Sequence, residues 1–185
     1  MKKITGILAS MVLIVGMVFI TSCDKLESLA DVKFEANMST DLNVVVPMAP
    51  DKSASLTGYQ FSESATIDPR EDPDIDEYFD KLKRFDVLEV TATVKSVSDD
   101  PVMISDAEIT ITSGTETASW PIDLFRITPG RSLSLTNDDG QWDTVNNILN
   151  EKKEFTATIN GYSDKEEVTF TIEVYIKVQV TANPL

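Results

Sequence analysis

Carboxylates are the side chains of this chain with the greatest capacity for chemistry, and they gather in two clusters. Oxygen ligands at this density are the kind that calcium prefers, so a calcium site is one interpretation. Neither cluster has the spacing of an EF-hand loop, and acidic residues also collect at helix N-termini for electrostatic reasons. We therefore expect helix caps, with no metal site and no cofactor. The clusters are Asp68, Glu71, Asp72, Asp74, Asp76 and Glu77, and Asn137, Asp138, Asp139 and Asp143.

The residue types that most enzymes rely on are missing from the sequence. It contains no histidine, which excludes Ser-His-Asp and Cys-His nucleophilic systems and the usual zinc sites. No glycine-rich phosphate loop follows a predicted strand, so nucleotide binding has no support. A carboxylate pair of the glycoside hydrolase kind is the remaining route to catalysis, and any acidic chain offers such pairs. We predict no enzymatic activity and no catalytic residue.

Aromatic side chains are candidates for stacking on a sugar. The periodicity around Trp120 and Trp142 predicts that both are buried, so they belong to the core. Tyr175 falls on the outward face of the last predicted strand, and Tyr162 lies beside a turn. The two tyrosines are therefore the better exposed candidates.

The single cysteine, Cys23, closes a segment organised like a secretory signal. Two lysines are followed by the apolar run Ile4–Ile20 and then by Thr21-Ser22-Cys23. The motif Ile20-Thr21-Ser22-Cys23 resembles the lipobox of bacterial lipoproteins, in which the cysteine becomes the diacylated N-terminus. The resemblance implies a signal peptide over residues 1–22, lipid attachment at Cys23 and a tether over residues 23–31. A short transmembrane anchor is the alternative, because the run is near the lower limit of ~17–25 residues for a spanning helix.

The charges after Cys23 allow two conflicting interpretations. Asp24, Lys25 and Glu27 are similar to the export signal of Bacteroidetes surface lipoproteins. An aspartate directly after the lipidated cysteine also resembles the inner-membrane retention mark of enteric bacteria. Ordinary linker charges would look the same. The membrane and leaflet are therefore left open, although the outer membrane with surface exposure is our expectation.

The overall charge narrows the class of partner. The chain has a formal net charge of −15 at pH 7. Such a surface repels nucleic acid and anionic lipid headgroups, so neither is an expected partner. Contact with a membrane is expected through the lipid alone, since two acyl chains suffice for stable anchoring. An envelope protein is the expected macromolecular partner.

Residues 32–185 have the periodicity of one β domain. Apolar residues alternate with polar ones from Val32 to Val46, from Tyr59 to Ile67, and without a fault from Val168 to Val180. Because the last run is long enough to cross a whole domain, we expect it either near the centre of a sheet or bending between two sheets. Shorter strands are predicted at Ala107–Thr112 and Thr117–Ile122.

Two helices interrupt the strands. The first is predicted from the cap Asp72 to Phe85 and leads into a strand in which Leu88 faces inward. The second is predicted to begin at Asp138, with Gln141 completing a capping box. The dipeptide Asn160-Gly161 is predicted to end the strand that follows.

About eight strands and two short helices, without strand–helix alternation, predict a mainly β protein. The expected fold is an antiparallel β-sandwich of Greek-key or immunoglobulin-like type. The layout of a leading strand, an amphipathic helix, a tryptophan-containing helix and a long final strand resembles small Bacteroidetes cell-surface lipoproteins with a β-sandwich domain. That resemblance implies an envelope location and an accessory or adhesion-like role.

Together these features predict a lipid-anchored lipoprotein of the bacterial cell envelope. We expect a non-enzymatic interaction, adhesion or structural module. A glycan- or calcium-dependent binding lipoprotein is the alternative, and a carboxylate-based glycoside hydrolase ranks third.

Overall fold

The computed structural model describes residues 31–48, 58–99 and 101–184. They form two four-stranded antiparallel sheets packed face to face. The predicted mainly β, antiparallel sandwich is therefore confirmed. The predicted signal peptide of residues 1–22, Cys23 and most of the predicted tether lie outside the described residues. No helix within the described ranges has the length and apolar character needed to cross a membrane.

In the described residues the sandwich consists of eight strands and two helices, with short 3₁₀ turns on either side of the first helix. The helices are α1 (Pro73–Glu77) and α2 (Gln141–Asn150). The strands are β1 (Val32–Val45), β2 (Tyr59–Ile67), β3 (Leu82–Val97), β4 (Val102–Ser113), β5 (Glu116–Ile127), β6 (Ser132–Ser134), β7 (Phe155–Ser163) and β8 (Thr169–Ala182).

The strand order is that of an eight-stranded jelly roll. Sheet A has the order β1-β8-β3-β6 and sheet B the order β2-β7-β4-β5. Successive strands alternate between the sheets except at the β4–β5 hairpin, which produces interlocked Greek keys. The immunoglobulin order, with its ABED and CFG sheets, is different. The long last strand β8 is central, between β1 and β3, which is one of the two positions predicted for it.

The core lies between the two sheets and is continuous. Every second residue of β8 from Phe170 to Ala182 is buried. Phe170 meets Phe61 of the opposite sheet edge to face, with ring centroids 5.4 Å apart. Each large side chain buried in this way contributes about 1.5–3 kcal/mol. Packing therefore supplies the stability of a domain whose sequence offers no cysteine pair.

Strand β3 departs from the predicted alternation. Leu88, expected inside, is 41% exposed, whereas Val87 is 8% exposed. The pairing of β3 with β8 shifts register between Val87 and Glu89, as at a β-bulge. The extra residue turns Leu88 outward, so its prediction is wrong.

Helix α1 is shorter than predicted because strand pairing replaces its second half. Asp72 caps it, with Pro73 at the first helical position, as expected. The helix ends at Glu77, and Leu82 and Phe85 instead pair with Ala182 and Val180 of β8. Both side chains are buried there. Their burial in the sandwich outweighs the helical spacing of apolar residues that predicted a longer helix.

Two further boundaries differ from the sequence-based expectation. The N-cap of α2 is Gly140, and Asp138 instead accepts a hydrogen bond of 2.6 Å from the Thr136 hydroxyl. Strand β7 does not stop at Asn160-Gly161 but continues to Ser163. At Gly161 it faces a register shift in β4, between Ser105 and Glu108, which needs a residue without a side chain.

Candidate interaction surfaces

The described chain enters the sandwich at one end, which we call the entry end. Val32 and Leu82 both pair with Ala182, so β1 and β3 begin where β8 finishes. The Lys83 ammonium lies 2.8 Å from the Asp31 carboxylate and ties the first described residue to β3. Because neighbouring strands are antiparallel, β1, β3, β5 and β7 all finish at the opposite end of the sandwich, which we call the loop end.

Hydrogen bonds between connections brace the loop end. The Met103 N–H donates to the Asp164 carboxylate at 2.8 Å, and the Asp164 N–H donates to the Met103 carbonyl at 3.0 Å. Lys165 lies 2.6 Å from Asp99. These bonds link the connection between β7 and β8 to both the start of β4 and the end of β3. The described part of the loop end is therefore held in one shape.

Two exposed apolar side chains stand at the loop end. Val45, the last residue of β1, is 65% exposed, and Met48 shortly beyond it is 60% exposed. Val46 between them is buried, and its N–H donates to the Val168 carbonyl at 2.9 Å. The backbone that carries both side chains is thus anchored to the sandwich. Grouped apolar exposure of this kind often marks a contact surface.

A groove of about 450 Å³ runs between the edge strands β5 and β6. Its outermost apolar side chain is Leu124, which is 67% exposed. The Arg131 guanidinium covers the Phe125 ring at 4.4 Å from the centroid. The carboxylates on its border, Asp123, Asp138 and Asp139, are exposed to solvent. The groove thus offers apolar contact with acceptors around it.

Both tryptophans support one wall of this groove. The Trp120 indole N–H donates to the Thr136 carbonyl at 2.7 Å, and the Trp142 indole N–H donates to the Leu135 carbonyl at 2.9 Å. These bonds satisfy two successive carbonyls where the chain leaves β6. Trp120 is buried as predicted, and Trp142 is half-buried against the core. Their role is structural.

The first acidic cluster acts on the backbone. Asp72 accepts N–H bonds from Asn37 at 3.0 Å, Asp74 at 2.9 Å and Ile75 at 3.2 Å. Asp68 accepts from the Arg70 N–H at 2.9 Å. Both belong to the border of a second, smaller hollow of about 180 Å³ beside β1. The carboxylates that come together here therefore cap the turn and the helix.

In the second cluster, side-chain amides near the start of α2 accept the backbone bonds. Asn137 accepts from the Trp142 N–H at 2.8 Å, and the Gln141 side chain accepts from the Asp139 N–H at 2.8 Å. In residues 31–48, 58–99 and 101–184, no group of three or more histidine, cysteine or acidic side chains is placed to hold a metal ion.

The two candidate tyrosines lie on opposite faces of the sandwich. The Tyr175 hydroxyl, on the outer face of sheet A, donates to the Asn37 side-chain oxygen at 2.6 Å. Tyr162 is half-buried on the outer face of sheet B. The structure therefore does not combine them into one platform.

The apolar contact residues were not found from the sequence. Val45, Met48 and Leu124 sit in segments whose alternation does not distinguish an exposed apolar side chain from a core one. Three apolar residues follow one another at Val44-Val45-Val46, so the middle one must face away from the core if its neighbours face inward. That break in the alternation is the signal that would have indicated Val45.

Comparisons with known proteins give a likeness of structure and none of sequence. No protein-family model matches the chain, and no curated protein matches it. Among solved structures it is similar to the crystal structure of decameric BFDV capsid protein, at 8% sequence identity and a TM-score of 0.49. That likeness covers 80% of this chain and 99% of the other. A likeness at this level carries no inference about function or assembly.

Proposed function

We propose that this protein is a lipid-anchored, non-enzymatic module of a bacterial cell envelope, with its loop end presented to an envelope protein. One observation carries the proposal: the chain enters at one end of the sandwich and the braced loops lie at the other. The lipobox-like motif at Cys23 supplies the anchor in this proposal. The resemblance to Bacteroidetes surface lipoproteins suggests the outer membrane and the cell surface.

The distance between anchor and domain supports this orientation. Asp31 follows Cys23 by eight residues, which at full extension span at most about 30 Å. A lipid on Cys23 would therefore hold the entry end near the membrane and point the loop end away from it. The net charge of −15 is expected to keep the domain off anionic headgroups.

The loop end has two properties that suit a protein-binding surface. Its bracing by the Asp164 and Lys165 bonds reduces the entropy that binding must overcome. Val45 and Met48 supply exposed apolar contacts on an anchored backbone. Methionine is also enriched at protein interfaces.

The anchor is tested by fatty-acid labelling in the native host. The wild-type chain should incorporate labelled palmitate, and Cys23→Ala should not. Absence of label on the wild-type chain would refute the lipoprotein assignment while leaving the fold untouched.

The loop end is tested by photo-crosslinking in intact cells. A photoreactive residue at Met48 should yield a discrete protein adduct, whereas one at Leu88, an exposed apolar position on the flank of sheet A, should not. The adduct should weaken when Val45 is changed to Glu. Equal crosslinking at Met48 and Leu88, or none at Met48, contradicts the proposal.

A further inference from the structure

Most side chains on the outer face of sheet B are uncharged hydrogen-bonding groups, and we call this surface the hydroxyl face. Strand pairing aligns it into four rows across β2, β7, β4 and β5. None of its side chains is buried. The rows are Gln60, Tyr162, Ser105 and Leu124; Ser62, Asn160, Glu108 and Pro121; Ser64, Thr158, Thr110 and Ser119; and Thr66, Thr156, Thr112 and Thr117.

The charge on this face is lower than on the outer face of sheet A. Of the side chains in the four rows, Glu108 alone is charged, and it accepts a hydrogen bond from Ser119. Asp106, Asp123 and Arg126 are exposed charged residues beside these rows, in β4 and β5. The outer face of sheet A, by contrast, carries charges across all three of its long strands. These are Lys33, Glu35, Asp41, Arg84, Asp86, Glu89, Glu173 and Lys177. The chain has 31 acidic and 16 basic residues, and the outer faces of its two sheets differ in how many of these charges they carry.

The hydroxyl face is organised for polar contact with a flat ligand. The third and fourth rows consist of serine and threonine alone, and we call them the Ser/Thr rows. Neighbouring strands lie about 4.8 Å apart and alternate residues about 6.7 Å apart, so these two rows form a regular lattice. Each hydroxyl offers one donor and two acceptor sites. Ser64 and Thr158 share one hydrogen bond of 2.8 Å between them, which leaves capacity for a ligand. Gln60 and Asn160 add amide donors and acceptors.

The chemistry of the face selects among occupants. An anionic ligand would approach a molecule of net charge −15 with no basic residue in the four rows to receive it. A protein, including a second copy, would find few of the features of an interface centre, where aromatic residues, methionine and arginine are enriched and serine is depleted. A neutral, polyhydroxylated ligand meets neither obstacle.

We propose that the hydroxyl face binds a neutral glycan laid across the strands of sheet B. Its hydroxyl groups exchange hydrogen bonds with the Ser/Thr rows, and one sugar ring stacks on Tyr162, which is flanked in its row by Gln60 and Ser105. The site lies on a flank of the sandwich and uses none of the loop-end residues. It therefore stands or fails separately from the proposed protein partner.

The experiment is affinity electrophoresis of the full chain in native gels containing one soluble polysaccharide each. The neutral probes are mannan, dextran, xyloglucan and galactomannan, and polygalacturonate is the anionic probe. We expect at least one neutral probe to retard the protein and polygalacturonate to leave its mobility unchanged. No retardation by any of the four neutral probes, or retardation by polygalacturonate alone, overturns the proposal.

A matched pair of variants locates the site. Thr110 and Thr91 are both half-exposed threonines on inner strands, the first on the hydroxyl face and the second on the outer face of sheet A. Thr110→Glu should weaken glycan binding by about tenfold or more, and Thr91→Glu should not change it. If Thr110→Glu lowers the melting temperature of the domain, Tyr162→Ala provides a second test that introduces no charge. Equal effects at Thr110 and Thr91 would overturn the assignment.

Self-association is the competing outcome for a flat sheet face. Sedimentation velocity of the wild type and Thr110→Glu distinguishes it. A wild-type dimer that Thr110→Glu dissociates would show that the face binds a second copy, against the proposal.

Discussion

Gly161 of β7 lies so close to Ala107 of β4 that a Cβ built on Gly161 would fall 2.6 Å from the Ala107 Cβ and 2.8 Å from its Cα. The approach occurs where β4 carries an extra residue, at Asp106, whose φ is 45°. Because one of the two contacts is backbone, a side chain cannot be accommodated by a rotamer change. Gly161→Ala should destabilise the domain by about 3 kcal/mol in urea unfolding.

Gly114 in the β4–β5 turn is the matched control for that change. A Cβ there would meet nothing within 4 Å, although its φ of 57° also disfavours a side chain. Gly114→Ala should therefore cost only about 1 kcal/mol. Equal losses at the two positions would mean that backbone conformation, not the contact with Ala107, determines the cost.

The bulge in β3 predicts opposite responses at adjacent positions. Val87→Asp would place a charge among the buried residues and should cost several kcal/mol, whereas Leu88→Asp faces solvent and should change stability by less than about 0.5 kcal/mol. Chemical denaturation of the two variants measures the difference. A larger loss of stability for Leu88→Asp than for Val87→Asp would show that Leu88 faces inward, as the alternation in the sequence predicted.

Asp72 connects the start of α1 to strand β1. Asp72→Ala removes the acceptor of three backbone N–H groups and should cost about 2 kcal/mol. Asp72→Asn keeps one side-chain oxygen and should cost about half as much. Asp80→Ala, at an exposed acid beyond the helix, should be within about 0.5 kcal/mol of wild type. A similar loss for the Asp72 and Asp80 alanine variants would rule out the cap as the cause.

Lys177 makes stability depend on pH at the alkaline end. Its hydrogen bond to Glu35, 2.6 Å long, and the charge of Glu35 raise the pKa of Lys177 above its ordinary value. A pKa raised by folding contributes stability below the pKa of an unfolded lysine and loses it as the pH rises through the folded value. The melting temperature should therefore fall more steeply above about pH 10 in the wild type than in Glu35→Gln. Parallel pH profiles would show that the pair contributes nothing.

Calcium provides a test of the two acidic clusters. Since the carboxylates of Asp68, Asp72 and Asp138 already accept hydrogen bonds, calcium should raise the melting temperature no more than sodium chloride of equal ionic strength. A calcium-specific rise that disappears in Asp138→Asn with Asp139→Asn would establish a site at α2. The same loss from changes at Asp72 would place it at α1.

Local patterns predicted those elements whose residues alternate without interruption. Strand β2 has the expected limits, Tyr59 and Ile67, and β8 lies at the sheet centre, one of the two positions that its length implied. Patterns failed where a long-range pairing decides the outcome. The bulge at Leu88 and the strand at Phe85 both depend on β8, which lies far along the chain.

The candidate surfaces also divide into features that the sequence predicted and features that depend on long-range pairing. The aromatic and acidic candidates could be picked out by residue type. The structure separates the tyrosines, and of the acids it makes Asp68 and Asp72 caps. The loop end and the hydroxyl face were not predictable, because each is assembled from strands distant in sequence. Thr110, for example, meets Thr158 only through the register of β4 with β7.

The central position of β8 has a consequence for the time course of folding. This strand is synthesised after the other seven, yet it pairs with both β1 and β3. Until it emerges, sheet A is divided into β1 on one side and the β3–β6 pair on the other, and the buried face of sheet B has no complete partner. Pairings so distant in sequence close slowly. Folding of the complete sandwich therefore waits for residues 169–182, and we expect the domain to gain most of its stability only when they insert.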